Sequence, residues 1–327
     1  MSASADHTLR VCRLADGACL QTFTGHNGPV WTVVDVGGGR VASGGQDSVL
    51  RVWDVLSGKQ LQQTPTAGGE IWCATALWGD RVATGHIGMK DIQLWSLGIG
   101  GGTADVLQGH TKPVWSLAVV GGGTAQQLLA SSSHDRSVRL WDVDAVTCTA
   151  VLNGHTDWVR CLADLGGGRL LSGSDDRSLR VWNTATGACL AVLPNAHGEG
   201  EGGGIWSACA LPGGAATGSR GSTVRRWKWD EGASALTPDG AALRVGIDGV
   251  WSLAAVLMPH GALQLLAAGC IDGSLRVISI TADGAWEQQA AALAGHRSGA
   301  NDCRIRGLVV MMDRADCGRG VLGREPL

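Results

Sequence analysis

The sequence Gly109-His110, Val114-Trp-Ser-Leu-Ala-Val-Val120 and Asp135-Arg-Ser-Val-Arg-Leu-Trp141 decides the fold of this chain. Residues 114–120, 128–131, 137–141 and 149–152 are short β-prone runs, and turn-forming residues such as the glycine triplet 121–123 separate them. Four short strands joined by tight turns predict one antiparallel four-stranded sheet.

The same phrase returns along the whole chain. Complete copies start at Gly25-His26 and Gly154-His155, and they end at Trp53 and Trp182. Weaker copies run over 71–95, 205–227 and 250–278. The Trp residues that end successive copies are roughly 41 to 46 residues apart, which is the period of a repeat with four strands. One repeated structural unit therefore explains nearly the whole sequence.

The repeated phrase resembles that of the WD-repeat β-propeller family. The resemblance implies an all-β fold, a single WD-repeat β-propeller with seven blades of four antiparallel strands each. It also implies that N- and C-terminal strands together close the last blade, since an open ring would expose unpaired strand edges.

The repeats set the expected domain boundaries, with the propeller over residues 1–312. Ser2, Asp6 and Cys12 align with Ser172, Asp176 and Trp182, so residues 1–24 are expected to supply the last two strands of the closing blade. Residues 294–312 are its weak beginning, with a poor first strand over 300–305 and a second strand at 307–312. A truncated chain or an atypical C-terminus would each explain the weakness. A disordered tail is expected at 313–327. The successive blades are predicted at 25–65, 66–107, 108–152, 153–194, 195–240 and 241–293.

The resemblance implies a hydrogen-bonded chain of His, Ser, Asp and Trp inside each complete repeat. Such a network of buried polar groups makes a blade rigid. A Ser-His-Asp catalytic triad is the alternative interpretation, but three copies that each include a Trp favour a structural role. The matching residues are His26, Ser43, Asp47 and Trp53; His110, Ser131, Asp135 and Trp141; and His155, Ser172, Asp176 and Trp182.

Three repeats depart from this pattern. Met89 stands where the second repeat should have Asp and no Gly-His precedes it, so we expect its network to be lost. Gly221 replaces the Asp of the fifth repeat, and Ala268 and Ile278 replace the Ser and Trp of the sixth. We expect these blades to be less rigid and to open first. The Gly-rich, acidic segment 194–204 is expected to be a solvated insertion.

The resemblance also indicates a surface for partners. In peptide-binding members of the family, the residue after the first Val of each repeat points into the funnel on the narrow face of the ring. Trp and Arg dominate binding hot spots, but these indoles would also suit packing between blades, and both interpretations stay open. Trp158 and Arg220 extend the set. The predicted partner-binding residues are Trp31, Trp72, Trp115, Trp158, Arg160, Trp206, Arg220 and Trp251.

Arg160 is the most specific of these residues, because a charged side chain is a poor choice for packing alone. Val159-Arg-Cys-Leu162 resembles the strand with which F-box ubiquitin-ligase receptors hold phosphorylated peptides. Those receptors gather several Arg residues, whereas this chain offers Arg160 and, beside it, Arg220. A phosphate reader is therefore short of positive charge.

Composition and charge narrow the function classes. The net charge is −3 with 17% charged residues and no run of like charge, so no nucleic-acid partner is indicated. The uncharged stretch 249–271 is interpreted as two strands around a turn, without membrane insertion. No Cys-x-x-Cys pair or zinc spacing occurs, so neither a metal nor a cofactor is expected. The N-terminus lacks a signal-peptide pattern, and we expect an intracellular protein, cytoplasmic rather than nuclear.

These observations predict a non-catalytic scaffold or adaptor that assembles a multiprotein complex and binds partner peptides at the Trp- and Arg-lined narrow face. A substrate-recognition subunit of a ubiquitin ligase is the alternative, although no F-box-like segment precedes the propeller and the Trp-Asp-x-Arg signature of cullin-4-linked receptors is missing. A vesicle-coat or trafficking component rests on fold analogy alone. Catalysis is not expected.

Overall fold

The computed structural model shows sheets arranged as the blades of a ring, and almost no helix. It describes residues 1–13, 18–66, 69–98, 102–121, 128–199, 201–246, 249–257, 263–280, 286–288 and 305–308. These residues form seven antiparallel sheets, which confirms the seven-bladed propeller. The predicted tail at 313–327 lies outside the described residues.

In blades 1 to 6, four antiparallel strands follow one another in sequence order from the channel outward. Blade 1 contains Val30–Gly37, Arg40–Gly45, Val49–Asp54 and Gln60–Pro65, and blade 2 contains Ile71–Leu77, Arg81–His86, Ile92–Ser96 and Thr103–Leu107. Blade 3 contains Val114–Val120, Leu128–Ser133, Val138–Asp142 and Thr147–Leu152, and blade 4 contains Val159–Gly166, Arg169–Ser174, Leu179–Asn183 and Cys189–Leu193.

Blades 5 and 6 follow the same plan. Blade 5 contains Ile205–Leu211, Gly214–Ser219, Thr223–Asp230 and Ala235–Pro238, with a short fifth strand Leu243–Arg244 beside its third and a 3-10 turn Glu201–Gly203 before its first. Blade 6 contains Val250–Leu257, Leu263–Cys270, Leu275–Ile280 and Trp286–Gln288. The stretch 249–271 therefore forms two strands, as predicted from its register with the other repeats.

The closing blade joins the two ends of the chain. Its strands, from the channel outward, are Ile305–Leu308, Ser2–Ser4, Leu9–Cys12 and Cys19–Phe23. The prediction of a shared blade is confirmed, but the division of strands was wrong. The N-terminus supplies three strands instead of two, and the C-terminal segment supplies the innermost strand instead of a second strand at 307–312. Ile305–Leu308 contacts the innermost strands of both blade 6 and blade 1, so the ring is closed.

Small side chains on the innermost strands connect neighbouring blades. The Cys73 Sγ lies 3.8 Å from the Val114 carbonyl oxygen, and the Cys161 Sγ lies 3.9 Å from that of Ile205. Two serine hydroxyl groups make the same kind of bond at shorter distances. The Ser207 Oγ donates to the Val250 carbonyl oxygen at 3.1 Å, and the Ser252 Oγ donates to that of Ile305 at 3.3 Å. Blades 2, 4, 5 and 6 therefore each bond to the first residue of the next blade's innermost strand.

Glycine in the second strand permits this close approach. A Cβ atom on Gly44 would lie 2.6 Å from Ile71 of the next blade, and one on Gly269 would lie 2.8 Å from Ile305. Real Cβ atoms do not approach so closely, so a larger residue would push neighbouring blades apart. This contact is repeated around much of the ring and was not anticipated from the sequence.

Polar chains connect the strands within the complete blades. In blade 1, His26 bonds Asp47 at 3.0 Å and Ser43 at 2.8 Å, and the Trp53 Nε1 donates to the Ser43 Oγ at 2.8 Å. Blades 3 and 4 contain the same chain with all three bonds at 2.7–2.8 Å: His110, Ser131, Asp135 and Trp141, and His155, Ser172, Asp176 and Trp182.

The Asp of each chain is held ionised. Burial would raise the pKa of Asp47, but hydrogen bonds from His26, the Asn27 N–H and Arg51 outweigh it and lower that pKa to about 2. The corresponding bonds from His110 and His155 lower the pKa of Asp135 and of Asp176. Each carboxylate therefore anchors its histidine throughout the neutral pH range.

Blade 2 keeps a shortened chain, so the expectation that its network is lost was wrong. The Trp95 Nε1 donates to the Thr84 Oγ1 at 2.7 Å, and Thr84 bonds His86 at 2.8 Å. The His86 Nδ1 lies 3.0 Å from the carbonyl oxygen of Gly69. The imidazole comes from the end of the second strand instead of from a preceding Gly-His pair, and a backbone carbonyl replaces the missing Asp.

Blade 5 also has a chain, and its histidine comes from the segment 194–204. His197 bonds both Thr217 and Thr223 at 2.7 Å, and the Trp227 Nε1 donates to Thr217 at 2.7 Å. The segment is therefore not merely a solvated insertion, because it delivers the imidazole that Gly-His delivers elsewhere. Only its residue 200 lies outside the described residues.

Candidate functional site

Five Trp side chains and one Arg meet at one end of the central channel. Each follows the first residue of an innermost strand, so the ring brings them together although they are far apart in sequence. This end also carries the turns between second and third strands, and we refer to it as the narrow face. The converging residues are Trp31, Trp72, Trp115, Arg160, Trp206 and Trp251.

The indoles of blades 1, 2, 3 and 6 pack against one another. The centroids of Trp31 and Trp72 are 4.8 Å apart, those of Trp72 and Trp115 are 4.3 Å apart, and those of Trp72 and Trp251 are 6.3 Å apart. Their rings meet edge to face, the arrangement that aromatic pairs prefer. Trp31 is only 8% exposed. Packing is therefore a large part of what these indoles do.

Arg160 lies in the other half of this cluster, between aromatic faces. Its guanidinium carbon is 4.2 Å from the Trp115 centroid and 4.8 Å from the Trp158 centroid. It also pairs with Asp175 at 2.7 Å, and the Trp206 Nε1 donates to the same carboxylate at 3.0 Å. The charge of Arg160 is thus compensated within the protein, which leaves it poorly suited as the main ligand of a phosphate group.

Trp158 is the exposed aromatic residue beside this pair. It is 41% exposed, and its indole stacks on His134 with centroids 3.9 Å apart and an interplanar angle of 13°. Burial, followed by the charge of Arg160, lowers the pKa of His134 to about 4, so its ring is neutral near pH 7. The His134 ring and the Arg160 guanidinium both contact this indole, so it is held in place although much of it is exposed.

Two buried nitrogen atoms in this region have no hydrogen-bond partner in the described part of the chain. These are the Trp115 Nε1, which can only donate, and the His134 Nε2. Buried polar atoms usually have partners. A bound group that offers both an acceptor and a donor would satisfy these two atoms.

Four exposed basic residues, Lys112, Arg136, Arg177 and Arg220, lie in the narrow-face loops of blades 3 to 5. None of these basic side chains has an ion-pair partner within the described residues. The guanidinium carbon of Arg220 is 5.9 Å from the Trp206 centroid. Sequence analysis identified Arg220 and missed the other three, although the Asp-Arg-Ser sequence of the second-to-third-strand turn is visible in two repeats. Among the residues whose side chains are described, Asp157 and Glu199 are the exposed carboxylates in these loops of blades 4 and 5, fewer than the four basic residues.

Below the aromatic cluster, the channel contains a cavity of about 290 Å³. Small residues of the innermost strands line it, among them Ser116, Ser207 and Ser252. Within the described residues, no group of three or more His, Cys, Asp or Glu side chains could hold a metal ion. The surface as a whole offers aromatic faces, hydrogen-bonding groups and positive charge, which are features of a site that binds another molecule.

Comparison with known proteins agrees with this architecture. The family model for the WD domain, G-beta repeat, matches residues 17–54, 101–142 and 146–183. Two solved structures share the fold over 82% of this chain at 22% identity: "Structure of U3-55K", with a TM-score of 0.71 and 83% of that chain covered, and "Crystal structure of RRP9 WD40 repeats", with a TM-score of 0.72 and 82% covered.

Curated relatives match over shorter stretches. Nuclear distribution protein PAC1 of Zygosaccharomyces rouxii is 38% identical over 98 residues, which is 26% of this chain and 21% of that protein. WD repeat-containing protein pop2 of Schizosaccharomyces pombe is 34% identical over 65 residues, which is 20% of this chain and 8% of that protein. The chain thus spans about a fifth or less of the length of these relatives. The matched repeats and the seven-bladed ring together identify the chain as a WD-repeat β-propeller protein.

Proposed function

We propose that this protein is a non-catalytic scaffold that binds a peptide segment of a partner protein on its narrow face, at the surface formed by Trp158, Arg220 and the basic residues around them. WD-repeat propellers generally serve as protein-interaction scaffolds. A rigid ring with short connections suits that role, because a partner meets a preorganised surface.

Trp158 is the observation that carries the proposal. A large indole that is 41% exposed, stacked on His134 and adjacent to Arg160, is fixed in position before any partner arrives. Rigid aromatic residues lose little conformational entropy on binding, and they dominate the energetics of interfaces. We therefore place the centre of the binding surface on blades 3 to 5 instead of on the packed indoles of blades 1, 2 and 6.

The charge around Trp158 favours an acidic peptide. Lys112, Arg136, Arg177 and Arg220 are exposed and have no ion-pair partner among the described residues. In a chain of net charge −3, this local excess of basic groups would attract and orient carboxylates. Arg160 does not add to the attraction, since Asp175 already compensates its charge.

The other predictions made from the sequence stay predictions. These are the substrate-recognition subunit of a ubiquitin ligase, the trafficking component, the absence of a nucleic-acid partner and the absence of catalysis. The comparisons give no support to the cytoplasm over the nucleus. No helix among the described residues is long and apolar enough to cross a membrane.

A peptide-display selection against the intact chain tests the proposal. We expect the selected peptides to be acidic with an apolar or aromatic residue. We further expect Trp158→Ala to weaken their binding about thirtyfold, because truncation of a central aromatic residue costs about 2 kcal/mol. Arg220→Glu should weaken binding and reduce its dependence on salt, because it removes an attractive charge from the surface. Affinity is measured by calorimetry at two salt concentrations.

Leu56→Ala is the matched control. Leu56 is 82% exposed and lies between the third and fourth strands of blade 1, at the opposite end of the ring. Its replacement should leave affinity unchanged. Peptides that bind Trp158→Ala as tightly as the intact chain would show that the binding surface lies elsewhere.

A further inference from the structure

Two cysteine residues face each other in the closing blade. Cys12 ends the third strand, Cys19 begins the fourth, and the two are Cα partners just beyond a register shift between Val11 and Cys12. Next to them, the Arg13 N–H donates to the Ala18 carbonyl oxygen at 2.9 Å, which holds the two strands together at this point. Both thiols are free. The loop residues 14–17 lie outside the described residues.

The other blades show what is unusual about this pair. In blades 3 and 4 the cysteine of the fourth strand pairs with the Trp of the repeat, Cys148 with Trp141 and Cys189 with Trp182. Only the closing blade, among blades with such a cysteine in the described residues, has a second cysteine where the Trp stands elsewhere. The three fourth-strand thiols share one contact, since each bonds the backbone carbonyl oxygen two residues later at 3.4–3.6 Å. Cys148 and Cys189 also lie 3.7 and 3.9 Å from an Arg guanidinium nitrogen, whereas Cys19 lies 3.6 Å from the Thr22 hydroxyl.

We propose that Cys12 and Cys19 form a reversible oxidation site, in which a hydroperoxide converts the two thiols into a disulfide that clips the third and fourth strands of the closing blade together. Cα partners on antiparallel strands are about 4.5–5.5 Å apart, and disulfides need about 4.4–6.8 Å. The bond can therefore form without separating the strands.

Exposure assigns the order of the two steps. Cys19 is exposed and meets the oxidant first, whereas Cys12 is half-buried. Burial, followed by the neighbouring Cys19, raises the pKa of Cys12, so it stays a thiol until it is needed. The thiolate of Cys19 attacks one oxygen of the hydroperoxide, the O–O bond breaks, and an alcohol (water, if the oxidant is hydrogen peroxide) leaves after taking up a proton. Cys19 is then a sulfenic acid.

Cys12 completes the reaction. As its proton leaves, its sulfur attacks the sulfenic sulfur of Cys19, the S–S bond forms, the S–O bond breaks, and the hydroxyl group leaves as water. In total, two thiols and one hydroperoxide give a disulfide, an alcohol and water, with two electrons passing from sulfur to the peroxide oxygens. A dithiol reductant reverses the change.

The clip would reinforce the blade that closes the ring. The closing blade lacks the Trp that donates to a hydroxyl in blades 1 to 5, because Cys12 occupies that place. A covalent bond across its outer strands restricts the unfolded chain. We expect oxidation to raise the midpoint of thermal unfolding by about 2 °C or more.

Peptide mapping of the full chain by mass spectrometry tests the proposal. The chain is treated with hydrogen peroxide, the remaining thiols are alkylated, and the protein is digested without reductant. We expect a peptide pair linked through Cys12 and Cys19 that disappears after reduction. Cys189 is the internal control, because it is exposed, starts a fourth strand in the same way and faces a Trp. It should carry sulfenic acid, trapped by a 1,3-dione reagent, and no linkage within the chain.

A second variant separates the steps. In Cys12→Ser, whose fold is checked by circular dichroism, Cys19 should accumulate sulfenic acid severalfold above its level in the unaltered chain. The proposal is overturned if oxidised, unaltered protein contains no Cys12–Cys19 peptide, or if Cys19 and Cys189 accumulate the same sulfenic adduct to the same extent. Because the unaltered chain alone gives this readout, the test stands even if the variant does not fold.

Discussion

At the scale of single residues, His197 shows how a structural role can be hidden in the sequence. In blades 1, 3 and 4 the imidazole lies four residues before the first strand, after Gly, whereas His197 lies eight residues before Ile205 without a preceding Gly. Its ring nevertheless reaches Thr217 and Thr223 at 2.7 Å. Thr217 and Trp227 need a hydrogen-bonding imidazole beside them, as the matching residues of the other blades do. In blade 5 a longer segment supplies that imidazole.

Replacing His197 by Phe should destabilise the protein by about 1–3 kcal/mol, because the two threonine hydroxyls lose a buried partner. Burial, followed by Arg225, lowers the pKa of His197 to about 3, compared with about 6.5 in the unfolded chain. A lowered folded-state pKa means that its contribution is fully present above pH about 6.5 and is lost as the pH falls toward 3. The free energy of unfolding, measured in urea at pH 7.5 and at pH 5, should therefore decrease less between the two pH values in His197→Phe than in the unaltered chain.

Thr217→Val is the partner variant for a double-mutant cycle. If His197 and Thr217 act through their bond, the double variant should cost less than the sum of the single ones. Additive losses, or an unchanged dependence on pH, would show that His197 contributes in another way.

At the scale of elements, the strand Ile305–Leu308 depends on its neighbours. Its sequence, Ile-Arg-Gly-Leu, carries little β-strand signal, and the sequence predicted a poor first strand over 300–305 and a second over 307–312 in place of one strand across Ile305–Leu308. In the structure, Ile305 is fully buried and packs with Ala267, Leu275 and Val277 of blade 6. A Cβ on Gly307 would lie 2.9 Å from the Val33 backbone of blade 1. The strand is thus selected by the space between two blades.

Ile305→Ala should weaken the closure of the ring. The lost packing should cost about 2–5 kcal/mol, whereas the control Ile305→Val should cost about 0.5–1.5 kcal/mol. Ser2–Ser4 pairs with this strand, so the amide hydrogens of Ser2–Ser4 should exchange faster in Ile305→Ala than in the unaltered chain. Hydrogen-exchange mass spectrometry measures this rate. Unchanged protection of Ser2–Ser4 would mean that the N-terminal strands hold their place without the C-terminal one.

At the scale of the whole molecule, the blades are alike in plan and unlike in polar bonding. Blades 1, 3 and 4 have a complete chain, and blades 2 and 5 have substituted ones. In blade 6, Ala268 and Ile278 are fully buried and make an apolar contact in place of the hydroxyl and indole. The closing blade has Cys12 at the Trp position and a four-residue innermost strand.

This distribution changes the expected order of opening. Blades 2 and 5 should be nearly as protected as blades 3 and 4, while blade 6 and the closing blade should open first. Hydrogen exchange of matched second strands provides the test. We expect Leu263–Cys270 to exchange about tenfold faster than Arg169–Ser174, which corresponds to one missing network worth about 1.4 kcal/mol. Earlier opening of Arg81–His86 would instead support the order predicted from the sequence alone.

The sequence by itself determined the repeat, the strands and the full polar chains, because those depend on residues at fixed distances along the chain. It also identified the six residues that converge on the channel, since one position in each repeat defines them. The tertiary structure decided which of them are packed against neighbouring side chains and which have their charge compensated. Trp31 is buried against Trp72 of the next blade, and Asp175 compensates Arg160 within blade 4, because side-chain contacts depend on how the strands pack and have no fixed spacing in sequence. His197 reaches its partners from a longer segment than the repeat predicts, and the space between blades 6 and 1 selects the strand of Ile305, so neither role follows from the repeat spacing.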